Sequence, residues 1–308
     1  MKVYEVIDRI EFNISTKDDL SGKSANNLFN KRNIVRSLKT ALDDYAQYTL
    51  GIEGIKSYTL PYGTREFAAP SDIVRSKGYR GMYVIISQNI YPLAPKDFNY
   101  IKSTFYTSSY VGIPSAVFLW ENQINIYPML SQGATTTTLA APVSKDDTEI
   151  TVTSSNGLVL NQGRVKINDE IVSYESINGN QLVGCTRGIE NTTPSEHIAG
   201  DNVDERNFFV YYNKLNFDIP CLDANTIDPS YLDKEMEVND VHMEPIICEA
   251  SYKLLAKIDN VRAEHYKRDY TVWLKRARHE IQRGRNDTST NSNIRQPYGF
   301  ERNFLPEY

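Results

Sequence analysis

The sequence predicts an α+β chain: a helical core with a small β-sheet, interrupted by an inserted antiparallel β module and followed by an extended C-terminal tail. Three observations predict this. Apolar residues recur at three- and four-residue steps toward both ends of the chain, the spacing of one helix face. Between residues 133 and 204 threonine alternates with apolar residues instead, which is the period of a half-buried strand. Beyond residue 285 no period survives, and aromatic side chains stand among Asn, Ser, Thr and Arg with no core of their own to join. With 308 residues there is room for two modest domains. The expected boundaries are a discontinuous helical core over 1–132 and 205–285, the inserted β domain over 133–204, and the tail over 286–308.

Taken in order, Val3, Val6, Ile7 and Ile10 mark a first helix, and a polar loop containing Gly22 follows. A second helix is expected over 24–50, with Leu28, Ile34, Val35, Leu38, Leu42, Tyr45 and Ala46 on its apolar face. From 57 to 128 the pattern shortens to strands at 57–60, 82–86 and 124–127, separated by proline and glycine turns. A short helix is expected over 95–105, with Pro95 in its first turn and Asp97 near its positive end. Gly112-Ile113-Pro114 reads as a turn feeding the next strand. Segments 123–128 and 207–213 read as strands flanking the interruption, and as neighbours they would form a hairpin from which the module hangs. Inside the module, strands are expected at 135–139, 148–153, 164–167, 170–174 and 181–183. Asn168-Asp169 and Asn178-Gly179 punctuate them, the second as a two-residue hairpin whose central positions need positive φ. A small antiparallel sandwich or barrel results. After a proline-containing connector, the strongest helix spans 244–283, with Ile246, Leu254, Ile258, Val261, Trp273, Leu274 and Ile281 on its stripe. A helix of that length either breaks near Asp259-Asn260 or projects beyond a small core.

Composition narrows the function. A hydrophobic content of 40% with 24% charged residues is that of a soluble globular chain. No window approaches the roughly 18 uncharged apolar residues of a membrane span. Glu5, Asp8 and Arg9 interrupt the apolar pattern of the first residues, which therefore do not read as a secretory signal, and cytoplasmic synthesis is expected. Cys185, Cys221 and Cys248 are too far apart for a Cys-x-x-Cys site and odd in number, so reduced thiols are expected. A net charge of -5 excludes a strongly basic nucleic-acid binder on bulk charge. The 21 tyrosines favour assembly, because tyrosine buries ring area while its hydroxyl stays hydrogen-bonded.

Motifs for chemistry are weak. Gly22-Lys23-Ser24 resembles the end of a phosphate-binding loop, but Lys17 stands where the leading glycine is needed, so Ser24 reads as a helix cap. His197, His242, His265 and His279 lack the spacing of metal-ligand pairs, and no Gly-x-Ser-x-Gly turn is present. The pairs Asp43-Asp44 and Asp146-Asp147 read as solvated acids, and Glu170 and Glu175 as strand-surface residues. No catalytic, cofactor-binding or metal-binding residue is expected. Toward the end of the long helix, Arg268, Lys275, Arg276, Arg278 and Arg283 belong to a basic excess that only partly answers the helix dipole. They are candidates for contact with DNA phosphates or with an acidic partner surface.

The order of segments carries a resemblance. Two helices, Leu60-Pro61, the stretch 70–74, Tyr91-Pro92-Leu93, Gly112-Ile113-Pro114, the stretches 124–128 and 209–212, and a final long helix resemble the head-to-tail adaptor proteins of tailed bacteriophages. The inserted stretch separately resembles a β module of phage tail and connector proteins. It does so through Ile150-Thr-Val-Thr153, Ile167-Asn-Asp-Glu-Ile-Val-Ser-Tyr174, Asn178-Gly179, Gly184-Cys-Thr-Arg-Gly188, Thr192-Thr193 and His197-Ile-Ala-Gly200. The resemblance implies a helical-bundle adaptor core and a ring of about twelve copies beneath a portal protein. It also implies a tail or nozzle protein on the far side and genomic DNA passing through without sequence-specific binding. The site would be the head-tail junction of a virion assembled in the host cytoplasm. Residues 286–308 would be the portal-docking tail, anchored by Tyr298, Phe300, Phe304, Leu305 and Tyr308. Arg268, Lys275, Arg276, Arg278 and Arg283 would then face a neighbouring subunit, the portal or DNA. A second reading is a tail or baseplate protein whose β module binds a receptor or carbohydrate, with Tyr174 stacking on sugars.

Overall fold

The computed structural model describes residues 1–14, 29–74, 79–97, 99–100, 110–120, 122–256 and 259–291, with side chains of the last helix described to residue 283. The chain divides into two compact units. The first comprises Met1–Glu53, Asp72–Gly78 and Asn213–Tyr308, and the second Gly54–Ser71 and Tyr79–Tyr212.

The first unit holds the helices α1 (Val3–Ile14), α2 (Lys31–Thr49), α3 (Pro229–Leu232), α4 (Met243–Leu255) and α5 (Asn260–Asn291). The predicted faces are the buried ones: Val6, Ile7 and Ile10 of α1, Ile34, Leu38 and Leu42 of α2, and Ile246, Ile247 and Ala250 of α4 share one apolar core. Each large aliphatic side chain buried there contributes about 1.5–3 kcal/mol. The Asn30 side chain accepts a hydrogen bond from the backbone N–H of Asn33 and starts α2, and Leu50 in the left-handed region ends it. The long C-terminal helical segment breaks where its sequence suggested. Asp259 accepts from the N–H of Arg262 at 3.0 Å and starts α5 afresh. That helix then runs on to Asn291, past the expected end near residue 283, because extending an existing helix adds a hydrogen bond per residue fixed whereas starting one is costly. The polar connector also contributes anchors, since Ile219, Ile227, Met236 and Val238 are buried in the same core.

The second unit is built from strands. One sheet runs β1 (Glu53–Tyr58), β16 (Phe208–Asn213), β3 (Tyr79–Ile86), β4 (Asn89–Pro92). A second runs β2 (Glu66–Ala68), β8 (Gln123–Tyr127), β7 (Ala116–Trp120), β5 (Ala94–Pro95), and β6 (Val111–Gly112) pairs with β9 (Met129–Leu130). The inserted stretch forms a six-stranded sheet, β10 (Thr136–Thr138), β15 (Asn202–Glu205), β12 (Asn161–Ile167), β13 (Glu170–Asn178), β14 (Gln181–Val183), β11 (Glu149–Thr151). Its alternation turns Ile150, Val165, Ile167, Val172, Leu182 and Val203 inward. The sheet curls into a half-barrel whose outer strands meet: Leu139 bridges Val152, and the N–H groups of Ala140 and Thr153 donate to Thr151 and Thr138.

The helical-bundle core expected from the sequence is overturned. Most elements of the described chain are strands, sixteen of them in four sheets, one of these a half-barrel, and the helices are few. Strands of two to five residues, such as β2, β5, β6 and β9, are too short to show a period, so the sequence reading undercounted them. Strands β8 and β16 lie in different sheets, so the module does not hang from a hairpin made by these two. Ala94–Pro95 pairs with Ala116 and Val117 rather than opening a helix, since the fixed φ of proline suits an edge strand as well as a first helical turn. Of the rest of that expected helix, Asn99 and Tyr100 are helical and Asp97 accepts the N–H of Tyr100 at 2.7 Å, as expected of an acid at the helix start, while residues 98 and 101–105 lie outside the described residues. The β13–β14 loop is Gly179-Asn180, one residue later than expected. Asn178 still pairs with Gln181, and Gly179 takes the positive φ, 61°, at the first loop position.

Candidate functional site

The densest polar site of the described chain lies inside the half-barrel. Glu170 begins β13, where pairing with Ile167 places it at a strand end with its side chain turned inward, 1% exposed. Arg187 approaches from the loop after β14 and donates Nε and Nη2 to the two carboxylate oxygens, both at 2.7 Å, a bidentate pair. The N–H groups of Gly188 and Ser195 add bonds of 3.0 Å each, and His197 Nε2 stands 2.9 Å away. Arg187 also donates to the carbonyls of Ser144 and Ser195, so one guanidinium draws three loops together. Burial pushes the Glu170 carboxyl up. The hydrogen bonds from Arg187, Ser195 and His197 and the charge of Arg187 outweigh it, leaving the group at about 2.

Ser195, His197 and Glu170 have the residue types of a hydrolytic triad but not its geometry. Ser195 Oγ at 3.4 Å and Glu170 at 2.9 Å both reach Nε2 of the imidazole, so Glu170 does not orient the ring from the far side, and Nδ1 faces the Asn168 amide at 3.5 Å and Asp201 at 3.7 Å. The site is a saturated clasp that fixes the module's loops.

A second cluster seats the module on the first sheet of the same unit. Glu190, in the left-handed region, accepts from Arg164 at 2.7 Å and from the N–H of Ser57 at 2.9 Å. Arg206, 8% exposed, donates to Ser57 and Thr59, and Arg164 lies over the Phe209 ring. Glu205 is different. It is 6% exposed and accepts the N–H of Thr135, and burial raises its carboxyl above the ordinary range. A folded value raised above the unfolded one means the charged form costs stability at neutral pH. Glu205→Gln keeps an oxygen for Thr135 without the charge, and is expected to raise stability at pH 7 by about 1 kcal/mol and to abolish the gain on mild acidification, read by urea titration at two pH values.

The basic residues singled out in the sequence lie along α5, but not all stand free. Arg276 packs over the Trp273 ring at 4.8 Å, and Arg278 is half-buried over the Tyr48 ring at 4.7 Å. Arg268, Lys275 and Arg283 are exposed and have no acidic partner among the described residues. The tail anchors Tyr298, Phe300, Phe304, Leu305 and Tyr308, like Gly22-Lys23-Ser24, lie outside the described residues. Tyr174 is buried, its hydroxyl bonded to the carbonyl of Val159 at 2.6 Å, so it offers no ring to a sugar. Asp44 is paired with Lys253 at 2.6 Å, so Asp43-Asp44 does not form a carboxylate pair. His242 ties Tyr45 to Glu280 through its two ring nitrogens. Among the described residues no set of three His, Cys, Asp or Glu side chains could hold a metal ion, and no helix is long and apolar enough to cross a membrane.

No protein-family model matches the chain, and no curated protein matches it. The clasp was missed in the sequence, where Glu170 read as a strand-surface acid and His197 as scattered. The signal was there: Glu170, Arg187 and His197 each stand as an ionisable residue within one of three separate module motifs.

Proposed function

We propose that this chain is a structural head-tail connector of a tailed bacteriophage. About twelve copies form a ring between the portal protein and a tail or nozzle protein, lining the DNA exit channel without reading sequence. It assembles in the host cytoplasm and resides at the head-tail junction of the virion. The β-rich core described above serves that role as well as a helical one would, since a ring needs only a rigid body with two separate contact surfaces.

One observation carries the reading. The stretches on which the likeness to the phage module rests, 167–174, 184–188 and 197–200, supply Glu170, Arg187 and His197 to a single buried clasp. Residues that resemble the module motif are thus the ones that hold this module together. The sugar-binding alternative has lost its aromatic, because Tyr174 is buried.

The test is removal of residues 286–308. Mass photometry of the full chain with the portal ring from the same genome is expected to give a portal-bound ring, and the truncated chain none, with an unchanged melting temperature and a helical circular dichroism signal reduced only by the last turns of α5. Undiminished binding of the truncated chain would refute the docking role of Tyr298, Phe300, Phe304, Leu305 and Tyr308. A full chain that ignores the portal would refute the connector reading itself.

A further inference from the structure

We infer that the exposed stripe of α5 is one half of the contact between neighbouring copies, and that its occupant is the acidic loop end of the β module on a second copy. The inference rests on the ring reading for self-association and adds which surfaces meet. Val261, His265, Arg268, Val272, Lys275, His279 and Gln282 follow each other at alternating four- and three-residue steps, and every one is exposed. That spacing places them along one face of the helix. Val261 is 85% exposed and Val272 58%, so the stripe mixes apolar surface with charge. A purely phosphate-binding face has no use for the valines, and protein contact suits both.

The stripe cannot pair with its own copy across a twofold axis. Arg268 and Lys275, about 10.5 Å apart along the helix, would meet the same charges, and like-charge juxtaposition is costly. The complement lies elsewhere on the chain. Residues 133–204 contain ten acids against four bases. By binding the carbonyls of Ser144 and Ser195, Arg187 gathers the loops that carry Asp146 and Glu196, and Asp169 adjoins Glu170 in the same clasp. Asp146, Asp169 and Glu196 are exposed and have no cationic partner among the described residues. Ile198, 71% exposed and two residues beyond Glu196 on the same loop, is the apolar counterpart of Val272. A stripe on one surface meeting a different surface of the next copy is a heterologous contact, the kind that closes into rings.

The experiment is sedimentation equilibrium of the full chain at low and moderate salt. Wild type is expected to self-associate more tightly at low salt. Arg268→Glu with Lys275→Glu, or Asp146→Lys with Glu196→Lys, should each weaken association about tenfold or more, and the chain carrying all four reversals should recover it. Neutral Arg268→Gln with Lys275→Gln gives the same direction should a reversed chain fail to fold by circular dichroism. Association indifferent to the stripe variants, or lost in both pairs and not recovered in the fourfold reversal, overturns the inference while leaving the portal-bound ring to its own test. A wild-type chain monomeric at every concentration, or stripe variants whose only defect is in binding short duplex DNA, overturns it as well.

Discussion

Arg187→Met is expected to destabilise the second unit by about 3–5 kcal/mol, because it leaves the Glu170 carboxylate buried without its cation. In a unit of this size that lowers the melting temperature by roughly 10 °C or more. Two further bonds vanish with the guanidinium, those to the carbonyls of Ser144 and Ser195. The pH dependence separates the ion pair from simple packing. Folding lowers the Glu170 carboxyl from an ordinary 4.5 to about 2. A lowered carboxyl contributes stability that is present above the unfolded value and lost as pH falls through the folded one. Glu170 therefore contributes about 3 kcal/mol at neutral pH, lost between about pH 4.5 and 2. In Arg187→Met that acid-dependent loss should shrink or reverse, since protonation now relieves an unpaired buried charge. Urea titrations of both proteins between pH 5 and 2.5 make the comparison, and parallel curves would show that the clasp contributes packing alone.

Gly163→Ala is expected to cost several kcal/mol although it adds one methyl group. Gly163 on β12 lies directly across from Tyr174 on β13, and a Cβ there would fall inside the Tyr174 hydroxyl end. The ring cannot step aside, because it is buried in the half-barrel core and its hydroxyl holds the Val159 carbonyl. Overpacking costs about 1–3 kcal/mol, and losing the part-buried bond to the Val159 carbonyl about 1 kcal/mol more. The double variant Gly163→Ala with Tyr174→Leu should recover part of the loss. An unchanged midpoint for Gly163→Ala would mean that the ring moves freely.

The sequence revealed long periodic elements well and short ones poorly. Helices α1, α2 and α4 bury the stripes expected of them, and the break before Asn260 was marked by Asp259. Strands β12 and β13 were visible through Val165, Ile167 and Val172, which alternate over enough residues to be seen. Strands β5 and β6 have two residues each, and pairing rather than local preference decides them. That is why the extent of β-sheet was underestimated and the helical core overestimated. For the site, the basic residues of α5 were legible as an excess of charge. Which of them stand free was not, because the stacking of Arg278 on Tyr48 joins helices far apart in sequence. The clasp needed the fold for the same reason: Glu170 and His197 are 27 residues apart and meet only once β13 and the following loops are in place.

The meeting of the outer strands of the six-stranded sheet bears on colloidal behaviour. An open sheet exposes a row of unpaired N–H and C=O groups on which another chain can zip, and such templating worsens steeply with local concentration. Here Thr138, Ala140, Thr151 and Thr153 spend those groups on each other. At high local concentration the module can therefore press side chain to side chain against other copies without offering an open edge for strand addition.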